Sequence, residues 1–393
     1  MTAYKMVTPI KIIHSYPVWL PQTQTWMYNQ VRYLPQECEN HIVCERTENL
    51  DQFWLPNIHS LSEEPKWVFL WDKACQKFRL RNHLNFLVSQ SKKNRAKVLH
   101  SHFGSVGWQD LGAAKKAKTI HIVTFYGLDV NYLPKQNPDW YRRYKTLFQT
   151  VDCVLCEGPY MAQSIIKNLG CPPSKIKVHP LGIEVEKIKY KPRSWNNQNP
   201  WRVLIAASFT EKKGIPDALA ALGEIQQHIP LEITIIGEAL PAKRNQLEKQ
   251  KILATIQKYH LESKVRLLGY QPHHVLLEEA YKHHIFLSPS VTASDGDTEG
   301  GAPVSIIEMA ATGMPIVSTL HCDIPHIIQH EETGLLAEER DISGLIKHMK
   351  WLIENSDKWI DMTDKARTKV ETMFNAKIQG QKLAEIYQDL IIT

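Results

Sequence analysis

Short apolar runs recur along the chain, and between them apolar residues return every third or fourth position. In the first half the runs lie at Ile10 to Ser15, His41 to Glu45, Lys97 to His102, His121 to Phe125, Cys153 to Cys156 and Lys175 to His179. Runs of that length separated by helix-period stretches predict parallel strands with covering helices. The second half repeats the pattern at Val203 to Ala207, Leu231 to Ile236, Val265 to Leu268, Ile285 to Ser288 and Ile316 to Thr319. A second doubly wound domain is the expectation there. Between the two, Lys189 to Pro200 is polar, turn-rich and without apolar periodicity, which marks it as the linker. The closing stretch, Asp341 to Leu390, is helical in pattern, and neither a solenoid-period repeat nor a low-complexity segment interrupts the alternation.

A length of 393 residues gives each half enough chain to bury its own core. Charges break every apolar run well before the ~20 residues a membrane helix needs, and Ile10 to Ile13 already reads as a first strand. A cytoplasmic protein is expected. Its net charge of +6 gathers partly in two basic runs, Lys92, Lys93, Arg95 and Lys97, then Lys115, Lys116 and Lys118. Such runs are either solvated faces or a peripheral contact with anionic lipid at the inner membrane face; no nucleic-acid-binding motif accompanies them. Seven scattered cysteines fit a reducing compartment, and the lone Cys153/Cys156 pair reads as part of an apolar strand before it reads as a zinc site.

Chemistry concentrates between Asp297 and Val317. Strand Ile285 to Ser288, a glycine-containing loop, a helix from about Pro303 to Thr312 and strand Ile316 to Thr319 form a βαβ crossover. Gly300 and Gly301 would set bare N–H groups at the positive end of that helix, outside the carboxyl end of a parallel strand, where open sheets bind phosphate. Glu308 stands in an otherwise apolar helix face, so its carboxylate needs a partner. A ribose hydroxyl pair would serve, and so would a structural Arg or Lys.

The run Glu299-Gly-Gly-Ala-Pro-Val-Ser-Ile-Ile-Glu308, followed by Gly313-Met-Pro-Ile-Val317 and Cys322-Asp-Ile-Pro325, resembles the donor-binding signature of retaining family-four glycosyltransferases. Ala207-Ser-Phe-Thr-Glu-Lys-Lys-Gly214, after the strand Val203 to Ala206, is similar to that family's phosphate-gripping loop. Ser174 to Gly182, Lys264 to Tyr270 and Glu332 to Leu336 match further motifs in the family's order. Ordered agreement over most of the chain is far more specific than one glycine motif.

The resemblance implies an α/β protein of two Rossmann-like domains facing across a cleft, the GT-B fold. Residues 1–190 would form the acceptor-side domain, 191–374 the nucleotide-sugar-binding domain, and 375–393 a helix returning to the first domain. It implies a metal-independent hexosyltransferase, with no cofactor, that takes a nucleotide-sugar donor and a glycan or lipid-linked acceptor in cell-surface polysaccharide synthesis. Among its residues, Lys213 would neutralise the diphosphate, with Lys212 adjacent and the Gly300 and Gly301 N–H groups helping. Glu308 would hold the ribose and Glu299 the donor sugar.

Three departures from the family pattern stand out. Ser208 occupies the position of an Arg that accompanies the Lys in most relatives, eight residues instead of seven separate Glu299 from Glu308, and Tyr126 follows Thr124-Phe125 where many relatives carry His. A phenol, with its ordinary pKa of about 10, is a poor base near neutral pH, so Tyr126 is expected to orient hydroxyls. His102 and Asp129 are the nearby ionisable alternatives. Asp295-Gly-Asp297 has the Asp-x-Asp form of metal-dependent enzymes but is read as loop structure or sugar contacts. The segment Trp19 to Tyr28 opens a helix near Thr23 to Thr25 that could meet acceptor or phosphate. Trp19 and Trp26 are either an acceptor platform or packing residues. Two rival functions stay open: a catalytically eroded nucleotide-sugar-binding or partner-binding protein, and a nucleotide-sugar epimerase.

Overall fold

The computed structural model describes residues 9–21, 24–78, 80, 83–196 and 198–392. It divides into two compact units, Met1–Gly182 with Ala376–Thr393, and Ile183–Asn375.

In the first unit the strands are β1 (Ile10–Ser15), β2 (Val18–Trp19), β3 (Cys38–Cys44), β4 (Arg46–Thr47), β5 (Ile58–Ser60), β6 (Val98–His102), β7 (Ile120–Phe125), β8 (Cys153–Cys156) and β9 (Ile176–Val178). Seven of them form one parallel sheet in the order β5-β3-β1-β6-β7-β8-β9, while β2 and β4 pair separately. The sequence pattern misses β2, β4 and β5 because two or three residues cannot display a period. Cys153 and Cys156 lie buried within β8, neither of them in a disulfide.

The helix Ala376–Ile392 belongs to this unit. It buries Leu383, Ala384 and Tyr387 against Ile12, Val98, Ile122 and Leu155. Gly380 permits the close approach, since a Cβ there would stand 2.0 Å from the Tyr33 carbonyl oxygen. The Tyr387 hydroxyl meets His100 Nδ1 at 2.7 Å.

The second unit carries β10 (Trp201–Ala206), β11 (Leu231–Ile236), β12 (Val265–Leu267), β13 (Ile285–Ser288), β14 (Ile316–Thr319) and β15 (Leu335–Ala337), all parallel, in the order β12-β11-β10-β13-β14-β15. Its inner strands bury both faces. Val203, Ile205, Ile285 and Leu287 enter one core, while Leu204 and Phe286, pointing the other way, enter the second.

The expected linker is not one. The division falls at Gly182, and residues 189–200 lie inside the second unit, where Trp195 joins the core beside Trp201 and Arg193 is buried. Arg193 donates to the carbonyls of Thr312 (2.7 Å), Ala280 (2.8 Å) and His283 (3.2 Å). Thr312 caps the C-terminus of the helix Val304–Ala311 and Ala280 ends the helix His273–Ala280, so one guanidinium serves the negative ends of two helices. Polarity misleads here because backbone carbonyls, invisible in the side-chain pattern, supply the partners. Burial brings the Arg193 pKa down to about 10, which leaves it charged. Arg193→Met is expected to destabilise this unit by about 3 kcal/mol or more in urea unfolding, because it strands charge-assisted acceptors.

Candidate active site

In the second unit chain order reverses between β10 and β13: β11 and β12 extend to one side, β14 and β15 to the other. Ligands of open α/β sheets bind beyond the carboxyl ends of strands at such a switch point. The loop after β10 ends in the 3-10 turn Glu211–Lys213 and then Gly214, whose φ of +61° suits glycine and where a Cβ would stand 1.9 Å from the Pro289 carbonyl oxygen. The Val291 N–H donates to the Lys212 carbonyl (2.8 Å), pinning this turn to the segment that leaves β13.

There Lys213 Nζ meets the Glu299 carboxylate at 2.8 Å, with both side chains largely buried. Ser290 Oγ donates to the same carboxylate (2.8 Å). Burial raises the Glu299 pKa, but Lys213 and then Lys212 outweigh it and bring it to about 2, so the group is ionised. The Glu299 N–H donates to His321 Nε2 (3.1 Å), and His321 Nδ1 therefore carries the proton that Glu339 accepts at 2.6 Å. The sequence gives no sign of His321, which is more than twenty positions from Glu299.

Lys212 turns the other way, donating to Asp297 (3.2 Å) and to the Thr298 carbonyl (2.9 Å). Arg244 meets Asp295 at 2.9 Å and Asp297 at 3.3 Å. These ion pairs give Lys212, Asp295 and Asp297 loop-bracing contacts. Ser208 sits half-buried in the turn after β10, its carbonyl accepting from the Thr210 N–H (2.9 Å).

The expectation of a bare N–H group needs correction at Gly300, which at φ +77° donates to Thr298 Oγ1 (3.2 Å); at Gly301 it is the carbonyl that is engaged, accepting from the Asp323 N–H (3.2 Å). The helix itself begins at Val304, with Pro303 as its cap outside the first turn. The extra residue between the two carboxylates coexists with the Lys213–Glu299 pair. Glu308 is buried on the helix, and its partner is neither Arg nor Lys: His273 Nε2 meets Glu308 Oε1 at 2.7 Å. That bond raises the His273 pKa, burial opposing it. The other Glu308 oxygen has no donor among the described residues. Nothing in the sequence around His273 marks it as the partner of Glu308.

In the first unit chain order reverses between β1 and β6. The carboxyl ends of these strands bear His14, His100 and His102, all buried. His179 donates from Nε2 to the Gln379 carbonyl (2.9 Å), so its Nδ1 accepts from Gln30 Nε2 (3.4 Å). That leaves Gln30 Oε1 for the Tyr126 hydroxyl (3.0 Å). The Tyr126 oxygen lies 2.6 Å from His102 Nδ1, and His102 Nε2 lies 3.2 Å from His14 Nδ1. Asn40 Oδ1, 3.2 Å from His14 Nε2, ends the line, and the Asn40 amide nitrogen donates to the Val31 carbonyl (3.5 Å).

Neither Tyr126 nor His102 is thus placed as a free acid or base. Burial drives the Tyr126 pKa well above its ordinary value and that of His102 well below. Asp129 is likewise occupied, accepting from the N–H groups of Gly104 (2.6 Å) and Tyr126 (3.0 Å). Nitrogens of His14, His100 and His102 lie within 4.8 Å of one another, a spacing that could hold a metal. Every ring nitrogen is already bonded, however, those of His100 to Tyr387 (2.7 Å) and Thr124 (2.6 Å).

Beside this line stands an aromatic cluster. Trp26 packs 4.3 Å from Tyr126, which lies 4.8 Å from Phe103, and Tyr16 stacks on Phe103 at 5.5 Å. Tyr16, Trp26 and Phe103 are half-buried. Phe103 holds φ +77°, a conformation costly for a side-chain-bearing residue. Trp19 is no platform: it is fully buried, and its Nε1 donates to the Phe53 carbonyl (3.0 Å). The helix begins at Thr25, and Thr23 lies outside the described residues.

Comparison with known proteins places these features in context. Residues 186–369 match the family model described as glycosyl transferases group 1, and residues 23–187 match that of glycosyltransferase family 4. The amylovoran biosynthesis glycosyltransferase AmsK of Erwinia amylovora is 35% identical over 311 residues, 77% of this chain and 73% of that protein. An Escherichia coli UDP-Gal:alpha-D-GlcNAc-diphosphoundecaprenol alpha-1,3-galactosyltransferase is 22% identical over 357 residues, 83% and 84% of the two chains. Among solved structures, Anabaena Alr3699/HepE in complex with UDP-glucose superposes with a TM-score of 0.77 at 15% identity, covering 97% of this chain and all of that one.

Proposed function

The chain belongs to the family-four glycosyltransferases, with the GT-B fold, and from that premise we propose that it transfers a hexose, with retention, from a nucleoside-diphosphate sugar to a glycan or lipid-linked acceptor in cell-surface polysaccharide synthesis. The observation that carries the reading is the Lys213–Glu299 ion pair at the β10/β13 switch point. Lys213 holds a compact cation where a departing diphosphate gathers charge, and Glu299 an ionised acceptor for sugar hydroxyls. Glu308, held by His273 through one oxygen, offers the other to ribose hydroxyls. The printed names of AmsK and of the diphosphoundecaprenol-dependent relative support the glycan and lipid-linked acceptors. A cytoplasmic enzyme in peripheral contact with the inner membrane face fits such an acceptor.

In the transfer the bond from the anomeric carbon to the diphosphate oxygen breaks as the acceptor oxygen bonds the same carbon on the same face. The acceptor's proton passes to the departing phosphate. This route asks no side chain to be a strong base, which suits the neutral, buried Tyr126 and His102. Tyr126, fixed by Gln30 and His102, would position Trp26 and Phe103 as an apolar face for a sugar ring. Diphosphate neutralisation is assigned to Lys213 alone, Asp295 and Asp297 being loop braces, so no metal is invoked.

Calorimetry with UDP, GDP, ADP and CMP tests the donor site. One nucleotide is expected to bind selectively, and Glu308→Ala to weaken it roughly 10- to 100-fold, the worth of a charge-assisted bond. Absence of binding to all four would sink the reading. Ser208 and Tyr126, where the family pattern differs, favour one rival, an eroded donor-binding protein. It predicts nucleotide binding without transfer to any acceptor.

A further inference from the structure

The helix Lys66–Lys77 of the first unit is apolar on two opposite faces, an arrangement that a helix at a protein surface does not need for folding. Its inner face is fully engaged. Val68 and Phe69 pack against the core that contains Phe86 and Leu87, and Cys75 is buried. The buried Asp72 carboxylate accepts from the N–H groups of Asn85 and Phe86, both at 2.9 Å, and so caps the next helix, Asn85–Lys93. Lys73 pairs with Glu45. The outer face carries Trp67, Leu70 and Trp71, which are 72%, 64% and 64% exposed and stand at positions i, i+3 and i+4. Phe78 and Leu80, each 73% exposed, continue it, and the Leu80 N–H is tied to the Cys75 carbonyl (2.9 Å).

We propose that this face docks the protein onto an anionic lipid bilayer, lying in the interfacial zone with its indoles among the headgroups. The inference rests on the peripheral membrane contact proposed above and gives it a location. Three features select a bilayer. Indole rings have an apolar body and a polar N–H, the combination favoured at a membrane interface. The charge on the helix is complementary to lipid phosphate: Lys66 and Lys77 are exposed at its two ends, and its single carboxylate, Asp72, is buried and occupied. Side chains that protrude from a convex helix also suit a deformable medium better than a matched groove. At 12 residues the helix is roughly 18 Å long against an apolar core of about 30 Å, so it lies on the bilayer. Among the described residues no helix is long and apolar enough to cross one.

The test is sedimentation of the full chain with vesicles of equal phosphatidylcholine and phosphatidylglycerol, and with phosphatidylcholine alone. Wild type is expected to partition onto the mixed vesicles with a blue shift of tryptophan emission, and much less onto the neutral ones. Trp67→Ser/Leu70→Ser/Trp71→Ser should weaken partitioning by more than about tenfold, and Lys66→Glu/Lys77→Glu should weaken it only on the anionic vesicles. Circular dichroism matching wild type establishes that the variants fold. Wild type that ignores both vesicles, or a triple variant that binds as well as wild type, overturns the proposal. So does a triple variant whose only loss is a concentration-dependent self-association of wild type. Nucleotide calorimetry on the same samples reads the donor site independently, so vesicle docking without nucleotide binding would sink the donor-site reading alone.

Discussion

Lys213→Ala is expected to lower the rate of glycosyl transfer by about a hundred- to a thousandfold, the range for removing one fixed charge from a developing anion. The same change should destabilise the second unit by roughly 3 to 5 kcal/mol, because it leaves the Glu299 carboxylate buried without its closest cation. The two losses separate in the double variant Lys213→Ala/Glu299→Gln. With no charge left to compensate, a neutral amide can still accept from Ser290, 2.8 Å away in the native site, and stability should largely return while transfer stays lost. Urea unfolding and steady-state transfer, measured on single and double variants, read the two effects apart. A single variant of native activity would remove Lys213 from the chemistry. A double variant as unstable as the single would mean that the ion pair does not explain the stability loss.

Acid should unfold the first unit over a narrow range below pH 6. Burial holds the pKa of His14 and His179 at about 4 and of His121 at about 3, and it drives His100 and His102 well below the ordinary value. Neutral rings cost nothing above pH 6.5, but below it the unfolded chain gains five protons that the folded unit refuses. Two carboxyl groups oppose this. Burial raises Asp110 to about 7 and Asp129 to about 6, so between pH 4 and 6 the folded unit holds two protons that the unfolded chain has released. Five less two leaves about three, worth on the order of 4 kcal/mol of lost stability per pH unit. From pH 6 to 4 that removes about 8 kcal/mol, enough to exhaust a stability in the lower half of the roughly 5 to 15 kcal/mol typical of a domain. Hydrogen exchange followed by mass spectrometry across that range would localise the transition; protection of β1, β6 and β7 that persists at pH 4 would refute it.

What could be read from the sequence, and what could not, follows one physical divide. Apolar strands such as Leu231–Ile236 and Ile285–Ser288 were legible to the residue because every position but Glu232 is buried. The signature loop gave Lys213, Glu299 and Glu308 through its resemblance, and the structure brings the first two into contact. The partners of these groups were not legible: His273, His321, His14 and Gln30 are joined to the site only by tertiary pairing, and nothing in their local sequence marks them. Arg193 and Trp195 show the same limit from the other side, since a polar stretch reads as a linker until backbone carbonyls and a core are found around it. Lys212 and the Gly300 N–H, both placed among the donor contacts by the resemblance, also contact the loop itself, at Asp297 and at Thr298 Oγ1.

The return of the helix Ala376–Ile392 to the first unit makes the second unit an insertion between Gly182 and Ala376. For anyone recombining such enzymes, the exchangeable cassette is therefore internal. A donor module taken from a relative has to be spliced in at both junctions, leaving Leu383, Ala384 and Tyr387 with the β1 and β6 partners they were selected to fit. A single crossover near residue 183 would give a first unit roofed by a foreign helix, with His100 facing whatever that helix carries in place of the Tyr387 hydroxyl.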